Sequence, residues 1–161
     1  MSDLRQLYQE ILLEHYRKPR NFGPLDDATH HARGHNPLCG DKVEVFLELD
    51  GEAIRAASFD GAGCAISTAT ASMMTEAIAG GRVDEARALG EQFLAMVRAD
   101  ADAEVDTEGL GELASLEGVR RVPVRVKCAT LAWHALRAAL DDGAIEKDGP
   151  RDDAPNTVTT E

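Results

Sequence analysis

Aromatic residues are scarce in this chain of 161 residues, with 4 Phe, 2 Tyr and 1 Trp making up 4% of it. A core must therefore be built mainly from aliphatic side chains, and at this length one domain with an adequate core is expected. Basic residues are also few: 17 Lys and Arg face 29 Asp and Glu, for a net charge of −12. That balance argues against nucleic acid or an anionic membrane as the main partner, and favours partners with basic patches. No apolar run approaches the roughly 20 residues that cross a bilayer. The opening Met1-Ser2-Asp3-Leu4-Arg5 lacks the basic-then-apolar order of a secretory signal. The expected location is the cytoplasm. Cysteine is limited to three residues. A reducing cytosol disfavours structural disulfides, and an odd count leaves one thiol over in any case.

A lone cytosolic cysteine is commonly a small buried hydrophobe. These three sit instead beside Gly, Pro or a predicted helix start: Asn36-Pro37-Leu38-Cys39-Gly40-Asp41, Gly61-Ala62-Gly63-Cys64-Ala65, and Arg125-Val126-Lys127-Cys128-Ala129-Thr130-Leu131. Three sulfurs with the nearby Asp41 oxygen make a complete tetrahedral set for zinc, provided the fold gathers them. Their separations match no short finger or ribbon, so any such site is assembled by tertiary structure.

Along the chain, residues 3 to about 18 read as an amphipathic helix, with Leu4, Leu7, Tyr8, Ile11, Leu12 and His15 at three- and four-residue steps and Pro19 as its stop. Arg17-Lys18-Pro19-Arg20-Asn21-Phe22-Gly23-Pro24 is a basic loop, either a docking surface or a solvated turn. His30, His31 and His35 lie in a polar stretch that reads as a flexible surface loop. Val43, Val45, Leu47 and Leu49 alternate with polar residues as a half-buried strand. Asp50-Gly51 turns the chain, and Ala53 to Phe59 returns as a second strand. Asp41 then stands at the mouth of this hairpin.

A small-residue helix follows from Ala65 to Ile78, placing Cys64 at its N-terminus, where free N–H groups and the macrodipole stabilise a thiolate. Gly61 and Gly63 either open the approach to that thiol or serve an ordinary strand-to-helix turn. A third helix is expected from Val83 to about Ala99, a short helical piece from Leu110 to Leu116, and a break at 117–123. A last helix runs from Val124 to Leu140, with Pro123 in its first turn and Cys128 in its second. Residues 1–145 read as a single domain and 146–161 as a disordered acidic tail.

Three thiolates and a carboxylate over-neutralise a divalent ion. Arg120, Arg121, Arg125 and Lys127 bracket Cys128 and could offset the excess or receive an anionic sulfur, or they could form a solvated helix face. A carboxylate among thiolates hints at a site that exchanges a ligand. Cys39, on a loop between Pro37 and Gly40, is the thiolate best placed to leave and act as a nucleophile.

The three cysteine motifs in this order, with Leu7-Tyr8 and His15-Tyr16-Arg17-Lys18-Pro19-Arg20-Asn21 before them, resemble the NifU N-terminal/IscU family over residues 4 to 142. Within it they resemble the SufU type. In the scaffold type a histidine directly precedes the third cysteine, whereas this chain has Lys127 and an added stretch near 106–121. The resemblance implies an α+β fold with a small antiparallel sheet packed against helices. It also implies zinc held by Cys39, Asp41, Cys64 and Cys128, with Cys39 accepting sulfur and Arg125 beside it. The activity it implies is that of a zinc-dependent sulfurtransferase, taking persulfide sulfur from a SufS-like, PLP-dependent cysteine desulfurase and passing it to a downstream iron–sulfur assembly complex. The PLP belongs to the partner. Two alternatives stay open: a scaffold that assembles an iron–sulfur cluster on the same ligands, and a non-catalytic zinc adaptor of the desulfurase.

Overall fold

The alternation around Val43, Val45 and Leu47 becomes strand β2 (Asp41–Asp50), and its partner β3 (Ala53–Ala62) returns antiparallel with Val45 opposite Phe59. One face of this hairpin, carrying Val43, Val45, Leu47, Ile54, Ala57 and Phe59, is buried. The computed structural model describes residues 2–145 and 156–159. Around the hairpin it places α1 (Ser2–Arg17), β1 (His30–Asn36), α2 (Ala65–Ile78), α3 (Val83–Arg98), a 3₁₀ segment (Gly111–Arg121), α4 (Pro123–Asp142) and β4 (Asn156–Thr159). The architecture is α+β. The sheet order is β3-β2-β1-β4, with β1, β2 and β3 antiparallel and β4 parallel to β1, so the complete sheet is mixed.

Three expectations change. The histidine-rich stretch 30–36 is strand β1 and not a loop. Its alternate positions Ala32, Gly34 and Asn36 are buried, and α4 packs across it so closely that a Cβ on Gly34 would lie 2.9 Å from Leu131 Cδ1. The helical piece near Leu110 continues to Arg121 where a break was expected. Leu110, Leu113, Leu116 and Val119, all buried, recur every third residue and so stack on one side of a helix with three residues per turn. Of the stretch 146–161 read as a disordered tail, residues 156–159 form β4. The rest of that stretch lies outside the described residues.

The small residues of α2 allow α1 and α4 to approach it, and Ala69, Met73 and Met74 join Phe93, Leu131 and Trp133 in one core cluster. In α1, Tyr8, Ile11 and Leu12 pack on that cluster, while Leu4 and Leu7 stay half-exposed. The polar member of the inner face is His15, 1% exposed. Its Nδ1 lies 2.7 Å from Ser72 Oγ on α2, and its Nε2 2.8 Å from Glu112 Oε2 on the 3₁₀ segment. Ser72 Oγ accepts the Arg20 backbone N–H (2.8 Å). Donation of the serine proton to Nδ1, with Nε2–H donating to Glu112, gives each group a complementary partner. One imidazole thus ties three elements together.

His15→Ala should cost about 3 kcal/mol, combining a cavity with stranded polar groups. Urea unfolding is expected to show a lower midpoint at unchanged slope.

Candidate metal centre

The ends of β1, β2 and β3 and the starts of α2 and α4 bring the three cysteine motifs to one place. Asp41 is the first residue of β2 and is buried. The ladder from Lys42↔Ala62 inward fixes it opposite the turn into α2. Cys64 is the N-cap of α2, its sulfur accepting the Ser67 N–H at 3.5 Å. Asp41 Oδ1 accepts the Cys64 backbone N–H at 2.9 Å, and Oδ2 lies 3.6 Å from Cys64 Sγ. This contact explains Gly63. A Cβ there would stand 3.1 Å from Asp41 Oδ1 and collide with Ser67 Oγ. The glycine therefore makes room for the carboxylate beyond serving the turn.

Cys128, in the second turn of α4, is buried, Cys64 is half-buried and Cys39 is exposed on the β1–β2 turn. Cys39 Sγ lies 3.7 Å from Cys128 Sγ. Ligand atoms of Cys39, Asp41 and Cys128 all fall within 4.8 Å of one another; Cys64 Sγ is not within that distance of all three and meets the group at Asp41 Oδ2, 3.6 Å away. Thiolates about 2.3 Å from a tetrahedral ion sit about 3.8 Å apart, close to the 3.7 Å separation of Cys39 and Cys128. The donor set therefore fits a divalent, thiophilic ion. Its electrostatics agree: burial, the charge of Cys64 and contacts with Cys39 and Asp41 push the Cys128 thiol well above its ordinary range. Four acids this close cannot all ionise alone, and a bound cation reverses the penalty.

Of the four cations expected around Cys128, Arg125 alone reaches the sulfurs. Its contact with Cys128 and the charges of Cys64, Cys128 and Cys39 raise its pKa further. Arg120 turns to the carbonyls of Asp100 and Ala103, and both Arg120 and Arg121 pair with Glu117. Lys127 faces a cleft on the outer side of α4. Asn36, quoted in the first motif without a role, is fully buried. Its Nδ2 donates to Cys128 Sγ (3.8 Å) and its Oδ1 accepts the Leu38 N–H (3.2 Å). The readable signal was an Asn opening a Pro-containing turn, where its side chain binds backbone two residues on.

A second convergence, His15 with Glu76 and Glu112, also falls within 4.8 Å. Arg20 Nε lies 3.6 Å from Glu76 Oε2, so Glu76 has a cation from the chain itself, and Glu112 is taken up by His15 Nε2.

Gly63→Ala should displace the Asp41 carboxylate while the hairpin remains. The expected readout is a metal affinity lowered about tenfold or more, measured by chelator competition, with an unchanged far-ultraviolet circular dichroism spectrum.

Comparison with known proteins identifies the family that shares this fold. The family described as NifU-like N terminal domain matches residues 7–145. The zinc-dependent sulfurtransferase SufU of Bacillus subtilis is 39% identical, covering 86% of this chain and 92% of that protein. The iron–sulfur cluster assembly scaffold protein IscU of Streptococcus pyogenes is 38% identical, over 89% of both. Among solved structures, a candidate iron–sulfur cluster assembly scaffold protein for the SUF system from Fervidobacterium islandicum superposes with a TM-score of 0.76. It is 32% identical, and the match covers 84% of this chain and 98% of that one. The likeness thus extends over nearly the whole length of these relatives, and the chain belongs to the family of NifU-like N-terminal domains.

Proposed function

We propose that this chain is a zinc-dependent sulfurtransferase of iron–sulfur cluster assembly. Its metal ligands are Cys39, Asp41, Cys64 and Cys128, and its sulfur acceptor is Cys39. The observation that supports this most is the graded burial of the donors: Cys128 and Asp41 are buried, Cys64 is half-buried, and Cys39 alone is exposed. Three donors can hold position while one turns outward. The sulfurtransferase name of the Bacillus subtilis relative agrees.

Zinc, when bound, keeps the thiolates unprotonated near neutral pH. Cys39 Sγ attacks the terminal sulfur of a persulfide carried by a SufS-like, PLP-dependent desulfurase. A new S–S bond forms at Cys39, the donor's S–S bond breaks, and its electron pair leaves on the desulfurase thiolate. Sulfur moves without net oxidation or reduction. Arg125 offers a cation to the anionic sulfur before and after transfer. Asp41 holds Cys64 through its N–H, and Asn36 steadies Cys128. Leu38 (66% exposed), Val122 and Val124 are exposed apolar side chains close in sequence to Cys39 and Cys128, available for the desulfurase to cover. The sulfur then passes to a downstream assembly complex. Reduced thiols suit a cytoplasmic setting.

A scaffold reading, in which an iron–sulfur cluster occupies the same ligands, draws on the name of the Streptococcus pyogenes relative. Lys127 stands against it, since the scaffold type has a histidine there and this side chain faces the outer cleft.

With purified desulfurase, cysteine and a reductant, Cys39→Ala should abolish zinc-dependent stimulation of turnover while leaving the circular dichroism spectrum unchanged. Stimulation that survives would point to an adaptor. In the same assay, Asp41→Ala should reduce stimulated turnover about tenfold or more; full turnover would reject its role. Anaerobic incubation with iron and sulfide is expected to give no stable visible chromophore, whereas a stoichiometric one would favour the scaffold.

A further inference from the structure

The outer side of α4 carries a cationic cleft that the metal centre does not use. It encloses about 540 Å³ and is lined by Arg98, Lys127, His134 and Arg137, with Asp141 and Asp142 at one end. Asp141 is engaged by Arg87 at 2.8 Å. In a chain of net charge −12, such a concentration of positive charge stands apart. His134 registers it: burial first, then Arg98 and Arg137, hold its imidazole below the ordinary range. Arg98 Nη2 approaches His134 Nε2 at 3.3 Å.

The other wall is Val158 and Thr159 of β4. This strand adds to β1 in parallel, with Ala32 opposite Asn156 and His35 opposite Thr159. Without it β1 would be a bare edge with unpaired N–H and C=O groups. Backbone pairing on such an edge gives affinity, and the side chains beside it give selectivity. The sequence around β4 is acidic on balance and so matches the cleft, with Glu146, Asp148, Asp152 and Asp153 before it and Glu161 after it against Lys147 and Arg151. Because β4 runs parallel to β1, its direction leads toward Asn36, whose amide meets Cys128.

We propose that the β1 edge and the cationic cleft beside it form a docking site for an extended acidic segment of a partner protein, held in cis by the chain's own residues 156–159 until displaced. The backbone ladder fixes the direction of the incoming strand, and Arg98, Lys127 and Arg137 select its charge. The seat keeps this chemistry whether or not sulfur passes through Cys39.

The test uses the full chain with Thr157→Pro and Val158→Pro together, which removes a ladder N–H whichever of the two faces β1. The β1 amides that point away from β2 should exchange with deuterium about tenfold faster or more, while those paired to β2 keep their rates. A labelled peptide of residues 150–161 added to this variant should bind saturably by fluorescence anisotropy. Charge reversal by Lys127→Glu with Arg137→Glu should weaken that binding about tenfold or more. A peptide with Lys in place of Asp152 and Asp153 should show the same loss on the unreversed cleft. Unchanged exchange at β1, or equal binding of the acidic and lysine peptides, overturns the proposal. A wild-type dimer that grows with concentration and disappears in the double-proline variant would assign the seat to a second copy, and also overturns it.

Discussion

One carboxylate couples the sheet to the candidate metal centre. Asp41 is nearly inaccessible to solvent, a costly place for a charge without partners. One of its oxygens takes the Cys64 N–H and the other faces the Cys64 sulfur. Both contacts exist because the β2–β3 ladder runs to its very end, Lys42 opposite Ala62, and because Gly63 lacks the Cβ that would occupy the carboxylate's place. The centre inherits the rigidity of the sheet on this side. A buried carboxylate among thiols is also a site prepared for a cation, since removing the cation leaves acids that repel one another, as the raised Cys128 thiol registers.

Against this fixed side the three sulfurs differ in freedom. Cys128 is enclosed by α4 and touched by the Asn36 amide. Cys64 is held as an N-cap by the Ser67 N–H. Cys39 lies on the short turn joining β1 and β2, exposed, and moving it disturbs neither the core nor a helix end. Of the three, Cys39 has the fewest attachments, which is why the proposed ligand exchange is assigned to it. Arg125 sits on the same open side and sets a cation beside the sulfurs, as the proposed transfer of an anionic sulfur to Cys39 requires.

The hairpin, α2 and α4 were legible because their patterns are strong: a two-residue alternation ending in Asp50-Gly51, a small-residue run after Cys64, and a proline at the first turn before Cys128. β1 was not, because its buried positions are Ala32, Gly34 and Asn36. Small and polar residues carry no hydrophobic signal even when a helix covers them. The 3₁₀ segment was readable in principle from Leu110, Leu113, Leu116 and Val119 at three-residue steps, but a strict step of three drifts off the α-helical stripe, so an α-helical pattern ends near Leu116. Among site residues, the sequence could group four cations near Cys128. It could not say which ones point inward, because Arg120 is drawn away by the carbonyls of Asp100 and Ala103, partners distant in the chain.

Helix phase explains why Arg125 and Lys127 have different roles. Two residues apart on α4, they point about 200° away from each other around the axis. Arg125 therefore shares the side of Cys128, three residues on, while Lys127 shares the side of Thr130, His134 and Arg137, which line the outer cleft together. A residue directly before the third cysteine is thus not obliged to serve the metal centre. It can instead join a surface that follows the helix outward to β4. Lysine at 127 uses that freedom, half-buried among the residues that line the groove. The same twenty-residue helix consequently presents an anchored sulfur to one side and a row of cations to the other. The sheet edge at β1 touches both, through Asn36 on the first side and β4 on the second.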